Sequence, residues 1–319
     1  MFNGLLTLAL SFFLTPLQDE NKQEPTYNKI QHVIYITLDG VRWQDIYKTP
    51  HYFPKLWEKH ANNLTFYGLP NSNTTMETAS APFSLPSYQA QMTGSVQPCI
   101  NNQCGHVQVK TFPEFLINQL HFAKQDVAIF SSWPEIANVM ETKEGTVYSS
   151  IGNDPVVDPL THTPDAVMDM INYEQSTHYP AYKPNRYDKY TFSQALHYFE
   201  KYQPKFLWIS LVNADDEAHV GNRQNYEQLL TYYDDAIDGL FNVLKARHLD
   251  KNTMVIVTTD HGRGSGENWT SHGTKYPESK QTFAFVMNGE LNPVSHDGDI
   301  EHYNTLSIRP TIEKVFLLQ

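Results

Sequence analysis

Cysteine is scarce: two in 319 residues, Cys99 and Cys104 in CINNQC. A zinc site built on that pair alone would lack partners nearby. Four residues separate them. A disulfide can close so short a loop in an oxidising compartment, gaining about 2 kcal/mol by chain entropy; the alternative is two unrelated thiols. Positive charge is scarce as well. Lys and Arg total 23 against 35 Asp and Glu, a formal charge of −12, with six Arg and no basic run. That balance excludes a chain built to neutralise a phosphate backbone, so no nucleic-acid partner is expected. A small anionic substrate would need local positive charge from Arg, Lys or metal ions. Long apolar runs are also missing. The stretch Leu5 to Leu14 is too short to span a bilayer, and no stable membrane span is expected. Its length suits a signal-peptide core, and residues 1–18 are read as an export signal for a periplasmic or secreted protein. No Lys or Arg precedes it and no A-x-A site follows, so a retained anchor or a buried segment are the alternatives.

The remaining chain is long enough for a core that needs no metal or disulfide to fold. Four near-continuous apolar runs, HVIYITLD (32–39), DVAIFSSW (126–133), KFLWISLVNAD (205–215) and MVIVTTD (254–260), read as parallel strands covered on both faces. QTFAFVMNG (281–289) is a fifth. The spacing predicts a helix over Tyr226 to Arg247, with apolar residues at 226, 229, 230, 233, 237, 240, 241 and 244. Strands alternating with helices argue for an α/β sheet with helices on both faces. The stretch of about 140–190, rich in Pro, Tyr, Asn and Asp, is expected to form a cap or insertion over the sheet's edge.

Three of these runs finish in an acid: Asp39, Asp215 and Asp260. Ligands collect outside the carboxyl ends of strands in open α/β sheets. Carboxylates converging there would repel one another unless cations held them. Asp215 is followed by His219 in a D-x-x-x-H spacing, Asp260 directly by His261, and His272 comes shortly after. Carboxylate with neutral imidazole suits zinc. Each element alone is commonplace; order and strand placement together carry the signal. A nucleophile candidate is Ser84 in ETASAPFSLPSYQAQMTG, at the start of a helix opened by Leu85-Pro86. The helix dipole would favour its alkoxide, and the competing reading is an N-cap.

These motifs, in this order, resemble the alkaline phosphatase superfamily. That family places a metal-binding Asp after the first strand, matched by Asp39 in ITLDGVRW, and a Thr or Ser nucleophile before x-P and ahead of T-G, matched by Ser84. Asp215 with His219, Asp260 with His261, and His272 before Gly273 match its later pairs. The tail NTLSIRPTIEKVF is similar to its closing helix, and the likeness spans about residues 30–317. It implies one catalytic domain over 25–319, a central mostly parallel sheet flanked by helices on both faces, and two divalent ions, zinc by ligand type. Asp215, His219 and His272 would bind one ion; Asp39, Asp260, His261 and Ser84 the other. Three Asp and a Ser alkoxide would then balance the two dications. Ser84 would attack phosphorus, become phosphorylated and be freed by water.

Within the superfamily, sulfatases carry C/S-x-P-x-R, whereas here Tyr88 stands at the Arg position. Ser-x-Pro and LDGVR look most like the phosphodiesterase and nucleotide pyrophosphatase branch. That branch holds a phosphoryl oxygen with an Asn downstream of the nucleophile, for which Asn101 and Asn102 are both candidates, and Arg42 is a third phosphate contact to weigh against a structural salt bridge. The final His departs from the branch, only eleven residues after the D-H pair. The expected partner is a small-molecule phosphate ester. A phosphomonoesterase or a phosphoryl-group transferase would use the same site, and an inactive secreted binding protein is the reading from another class.

Overall fold

The computed structural model describes residues 30–318, so the expected signal peptide, residues 1–18, lies outside them. Ten strands are described: β1 (His32–Leu38), β2 (Leu64–Tyr67), β3 (Thr74–Glu77), β4 (Val127–Ser131), β5 (Tyr148–Ile151), β6 (Phe206–Leu211), β7 (Thr253–Thr258), β8 (Ala284–Met287), β9 (Ser295–Asp297) and β10 (Ile300–Asn304). Seven form the central sheet, in the order β2-β8-β7-β1-β6-β4-β5. The pairs β7-β1, β1-β6, β6-β4 and β4-β5 are parallel, and β8 runs against both of its neighbours. The remaining three make a small second sheet.

The continuous apolar runs have the meaning that parallel pairing gives them. On β1, Ile34, Ile36 and Leu38 enter one core while Val33 and Tyr35 enter the other. The helix Arg223–Ala246 covers the first face through Tyr226, Leu230, Tyr233, Ile237, Leu240, Phe241 and Leu244, the periodicity visible in the sequence. The helices Ser84–Thr93 and Ile308–Leu317 cover the second. A mostly parallel α/β sheet sandwiched between helices is therefore the fold, as expected.

Two boundaries differ. The run KFLWISLVNAD is not one strand: β6 stops at Leu211, and Asp215 lies on a short helix, Asn213–His219. The stretch 140–190, expected to lie over the sheet's edge, contributes the edge itself in β5. Short and part polar (Tyr-Ser-Ser-Ile), β5 lacks the apolar run that marks a central strand. It is pinned by buried Arg186, whose Nη2 donates to the carbonyls of Ser131 on β4 and Ser150 on β5, at 2.9 Å each. Helices Ala166–Thr177 and Asp188–Tyr202 follow it.

The helix Ser84–Thr93 is buried along all 10 residues, so its placement rests on packing rather than on amphipathic patterning. It ends at Gly94, in the left-handed region at φ 69°. A side chain there would meet Arg309 Cδ at 2.8 Å. Arg309 occupies that place because its Nη1 donates to the free carbonyls of Thr93 and Lys110, at 2.8 Å each. A disulfide joins Cys99 to Cys104 just beyond, with Cα atoms 5.5 Å apart. Among the described residues no helix is long and apolar enough to cross a membrane.

Gly94→Ala combines the left-handed penalty of about 1–2 kcal/mol with displacement of the Arg309 cap. Its urea midpoint should fall by at least that equivalent, while Ala substitution at exposed Gln103 should leave the midpoint unchanged.

Candidate metal centre and nucleophile

β1 and β7 deliver two acids side by side. Asp39 follows the last residue of β1, and Asp260 and His261 lie just past the end of β7. The Gly40 amide donates to Asp260 Oδ1 at 3.0 Å, and the Tyr88 hydroxyl to Asp39 Oδ2 at 3.1 Å. The other two oxygens, Asp39 Oδ1 and Asp260 Oδ2, are buried without a hydrogen-bond partner. Both face His261, whose Nε2 is 3.8 and 3.3 Å away. His261 Nδ1 lies 2.9 Å from the Gly262 carbonyl, which places its proton there and leaves the Nε2 lone pair aimed into the cluster. Unpartnered buried carboxylate oxygens are costly, and a cation between them would satisfy both. The donor set therefore fits a divalent metal.

The second group forms across the Asn213–His219 helix. Asp215 and His219 share one helix face at i, i+4, with Asp215 Oδ2 3.0 Å from His219 Nε2. His219 Nε2 is 3.1 Å from His272 Nε2, and His272 Nδ1 is fixed by the Pro82 carbonyl at 2.9 Å. The rings of His261 and His272 stack with centroids 3.9 Å apart, so the two groups adjoin. Ligand atoms lie within 4.8 Å of one another both in Asp39, Asp260 and His261 and in Asp215, His261 and His272. All six candidate metal-ligating acids and imidazoles are thus brought together.

Ser84 is the first residue of its helix rather than the cap, which is Phe83. Its Oγ lies 3.4 Å from His261 Nε2, at the positive end of the helix. Asn102 Oδ1 accepts from the Leu85 amide at 3.0 Å, which brings this side chain beside Ser84 and leaves its NH2 as a donor. Asn101 turns instead into its own loop, accepting from the Gln103 amide at 2.9 Å. Arg42 is held by both oxygens of Asp45, at 2.8 and 2.7 Å, and Asp45 also accepts from Tyr226. Neither Asn101 nor Arg42 is therefore presented to Ser84 in the way Asn102 is. The residue standing at the sulfatase Arg position, Tyr88, is the buried partner of Asp39.

Sequence reasoning missed Arg263, which ion-pairs with Asp215 Oδ1 and is wholly buried. The available signal was a lone Arg between two glycines directly after the Asp-His pair. It changes the charge count, because one protein cation stands inside the cluster. Burial pushes the Asp39 carboxyl well above the usual range, with the charges of Asp260 and Asp215 adding to the shift. Burial, then Asp215, pushes Asp260 up to about 6. Burial would raise Asp215 too, but the Arg263 charge and the His219 hydrogen bond outweigh it and hold this carboxyl well below the usual range. Burial lowers His261 to about 4, and burial with the neighbouring His261 lowers His272 to about 3, so both are neutral, as metal ligands must be.

A family model described as Sulfatase matches residues 31–304. The chain belongs to the sulfatase family. This sulfatase-family chain matches no curated protein significantly. Among solved structures it is similar to the lipoteichoic acid synthase LtaP of Listeria monocytogenes, at 12% identity over 92% of this chain and 74% of that one, with a TM-score of 0.56. It is also similar to the C-terminal periplasmic domain of EcEptC from Escherichia coli, a zinc complex, at 13% identity over 90% and 82%, with a TM-score of 0.54. The alkaline phosphatase of the Antarctic bacterium TAB5 aligns at 16% identity over 91% and 98%, with a TM-score of 0.51. At these identities the likeness is one of fold, that of the alkaline phosphatase superfamily.

Metal binding here should compete with protons on the carboxylates. A carboxyl whose folded pKa is raised stabilises the metal-free fold at low pH and loses that contribution as pH rises through about 6 at Asp260. Zinc binds the deprotonated form and should restore it. The zinc-induced rise in Tm is therefore expected to be larger at about pH 7.5 than at about pH 5, at equal free zinc. His261 and His272 are neutral throughout that interval and do not contribute. Equal rises at both pH values would remove the raised carboxyls from the metal site.

Proposed function

We propose that the protein is a metal-dependent hydrolase of phosphate esters, of phosphodiesterase or pyrophosphatase type, acting through a phosphorylated Ser84. One observation carries the reading: a buried Ser hydroxyl at a helix start, 3.4 Å from His261 Nε2, beside two carboxylate oxygens that lack any donor. Asp39, Asp260, His261 and Ser84 would hold one divalent ion, and Asp215, His219 and His272 a second. Zinc bound there would lower the pKa of the Ser84 hydroxyl and offset charge developing on the phosphoryl oxygens.

The chain's own groups do the rest. Ser84 gives up its hydroxyl proton to solvent, and its Oγ forms the bond to phosphorus as the bond to the leaving oxygen breaks; the electron pair leaves with that oxygen, which takes a proton from water. The helix start favours the charge on Oγ beforehand. The NH2 of Asn102 donates to a phosphoryl oxygen. Water then cleaves the phosphoserine, and Ser84 regains its proton. A diester is favoured over a monoester because the cation at the cluster, Arg263, has committed donors to protein carbonyls and to Asp215. Sulfate ester chemistry is disfavoured by Tyr88. The fold shared with LtaP supports a second reading, in which an alcohol rather than water takes the group from Ser84. The reading takes the protein to be exported, supported by the Cys99–Cys104 disulfide.

The test is a panel of aryl phosphate mono- and diesters with zinc-reconstituted protein. Diesters should be turned over faster, at about two zinc per chain. Ser84→Ala should lose roughly three orders of magnitude in kcat or more while keeping its zinc and its fold, and Ser80→Ala should remain near the parental rate. Parental activity in Ser84→Ala would end the phosphoserine mechanism. Adding a simple alcohol separates hydrolase from transferase by the product formed.

A further inference from the structure

Arg263 has 0% of its surface exposed, and its contacts go to three ligand-bearing segments. Nε donates to the Gly40 carbonyl at 3.2 Å, next to Asp39; Nη1 donates to the Thr270 carbonyl at 2.7 Å, two residues before His272. Nη2 donates to the Asp215 carbonyl at 3.2 Å and also pairs with Asp215 Oδ1. A planar fork suits such a junction, where an ammonium would reach only part of it. Gly40 is the complementary feature: at φ 63° it has no Cβ, and one placed there would overlap Asp215 Oδ1 and lie 3.1 Å from Arg263 Nε. The glycine makes room for the pair, and its amide meanwhile holds Asp260.

The two groups of candidate ligands are consequently unequal. Asp39 Oδ1 and Asp260 Oδ2 are both free of donors. Asp215 has one oxygen taken by a buried cation and the other beside His219. A metal there would meet one carboxylate oxygen, two imidazoles and a like charge close by. It would also be nearer solvent, since the His219 side chain is 46% exposed whereas that of His261 is 0%. Resting on the two-metal reading above, we propose that Arg263 is a positioning residue that leaves Asp215 a single free oxygen, making the position at Asp215, His219 and His272 the weaker, exchangeable metal site.

The experiment is a zinc titration of metal-free protein against a chromophoric chelator. Wild type should show two steps separated by at least about tenfold, the weaker one absent in His219→Ala with the stronger nearly unchanged. Arg263→Met should tighten the weaker step toward the stronger, because the metal then becomes the cation available to Asp215; Arg263→Lys, which keeps the charge, should preserve the separation. Two equal steps in wild type would overturn the proposal without any variant, as would loss of the stronger step in His219→Ala. Parallel weakening of both steps in a folded Arg263→Met protein would reduce Arg263 to a structural role and overturn it too, as would loss of the separation in Arg263→Lys. Absence of any zinc binding would instead refute the two-metal reading itself.

Discussion

Repulsion among Asp39, Asp215 and Asp260 is the constraint that organises this end of the sheet. All three are buried where parallel strands terminate, in surroundings that penalise charge. The protein answers the repulsion unevenly. Asp215 receives a guanidinium, and its carboxyl is held low. Asp39 receives one hydrogen bond, from Tyr88, Asp260 receives two on a single oxygen, from Gly40 and Thr259, and both carboxyls are held high. That leaves two oxygens with nothing to accept. A fold does not keep such atoms buried cheaply, and the neutral His261 aimed between them indicates what completes the arrangement.

The scaffold serves this arrangement by distance control. Asp39 and Asp260 come from neighbouring strands in register, so their separation follows from sheet geometry. Asp215 and His219 are set by one helical turn. Ser84 arrives from the opposite layer, on a helix fixed at both ends: the Arg309 cap holds its C-terminus, and the Asn102 side chain holds its N-terminus. Ser87, on the same helix, donates to the Asp260 carbonyl at 2.7 Å, tying the helix of the candidate nucleophile directly to the strand end that carries the candidate ligands. Rigid elements of this kind position reacting groups better than loops do.

Much of this was legible in the sequence because the physics is local or periodic. Continuous apolar runs marked the strands, a 3.6-residue repeat marked the long helix, and the acids and imidazoles stood at strand ends in the right order. What escaped depends on contacts distant in sequence. Nothing in FLWISLVNAD marks the point where strand becomes helix, since its apolar residues suit either element. β5 is too short and polar to announce itself, and Arg186, distant in sequence, helps to secure it. Asn101 and Asn102 are adjacent and chemically identical; the fold of the disulfide loop decides which one faces Ser84. Sequence reasoning singled out Arg42 and passed over Arg263, and only the structure shows the first bound to Asp45 and the second within the cluster.

Arg263 also bears on which ester the proposed site would prefer. Three carboxylates and a Ser84 alkoxide carry four negative charges, which two dications would cancel. The buried guanidinium then leaves one positive charge in excess. A diester, with one negative charge on its phosphoryl group, brings the site to neutrality. A monoester dianion overshoots it and would need a further donor, and Asn102, the side chain presented beside Ser84, is uncharged. Because Arg263 is buried and its donors are engaged by protein, it would exert this preference through its field rather than by touching substrate. From a buried position such a field is weakly screened. The choice between mono- and diester would then be made by a residue behind the ligands, not by one lining the substrate's path.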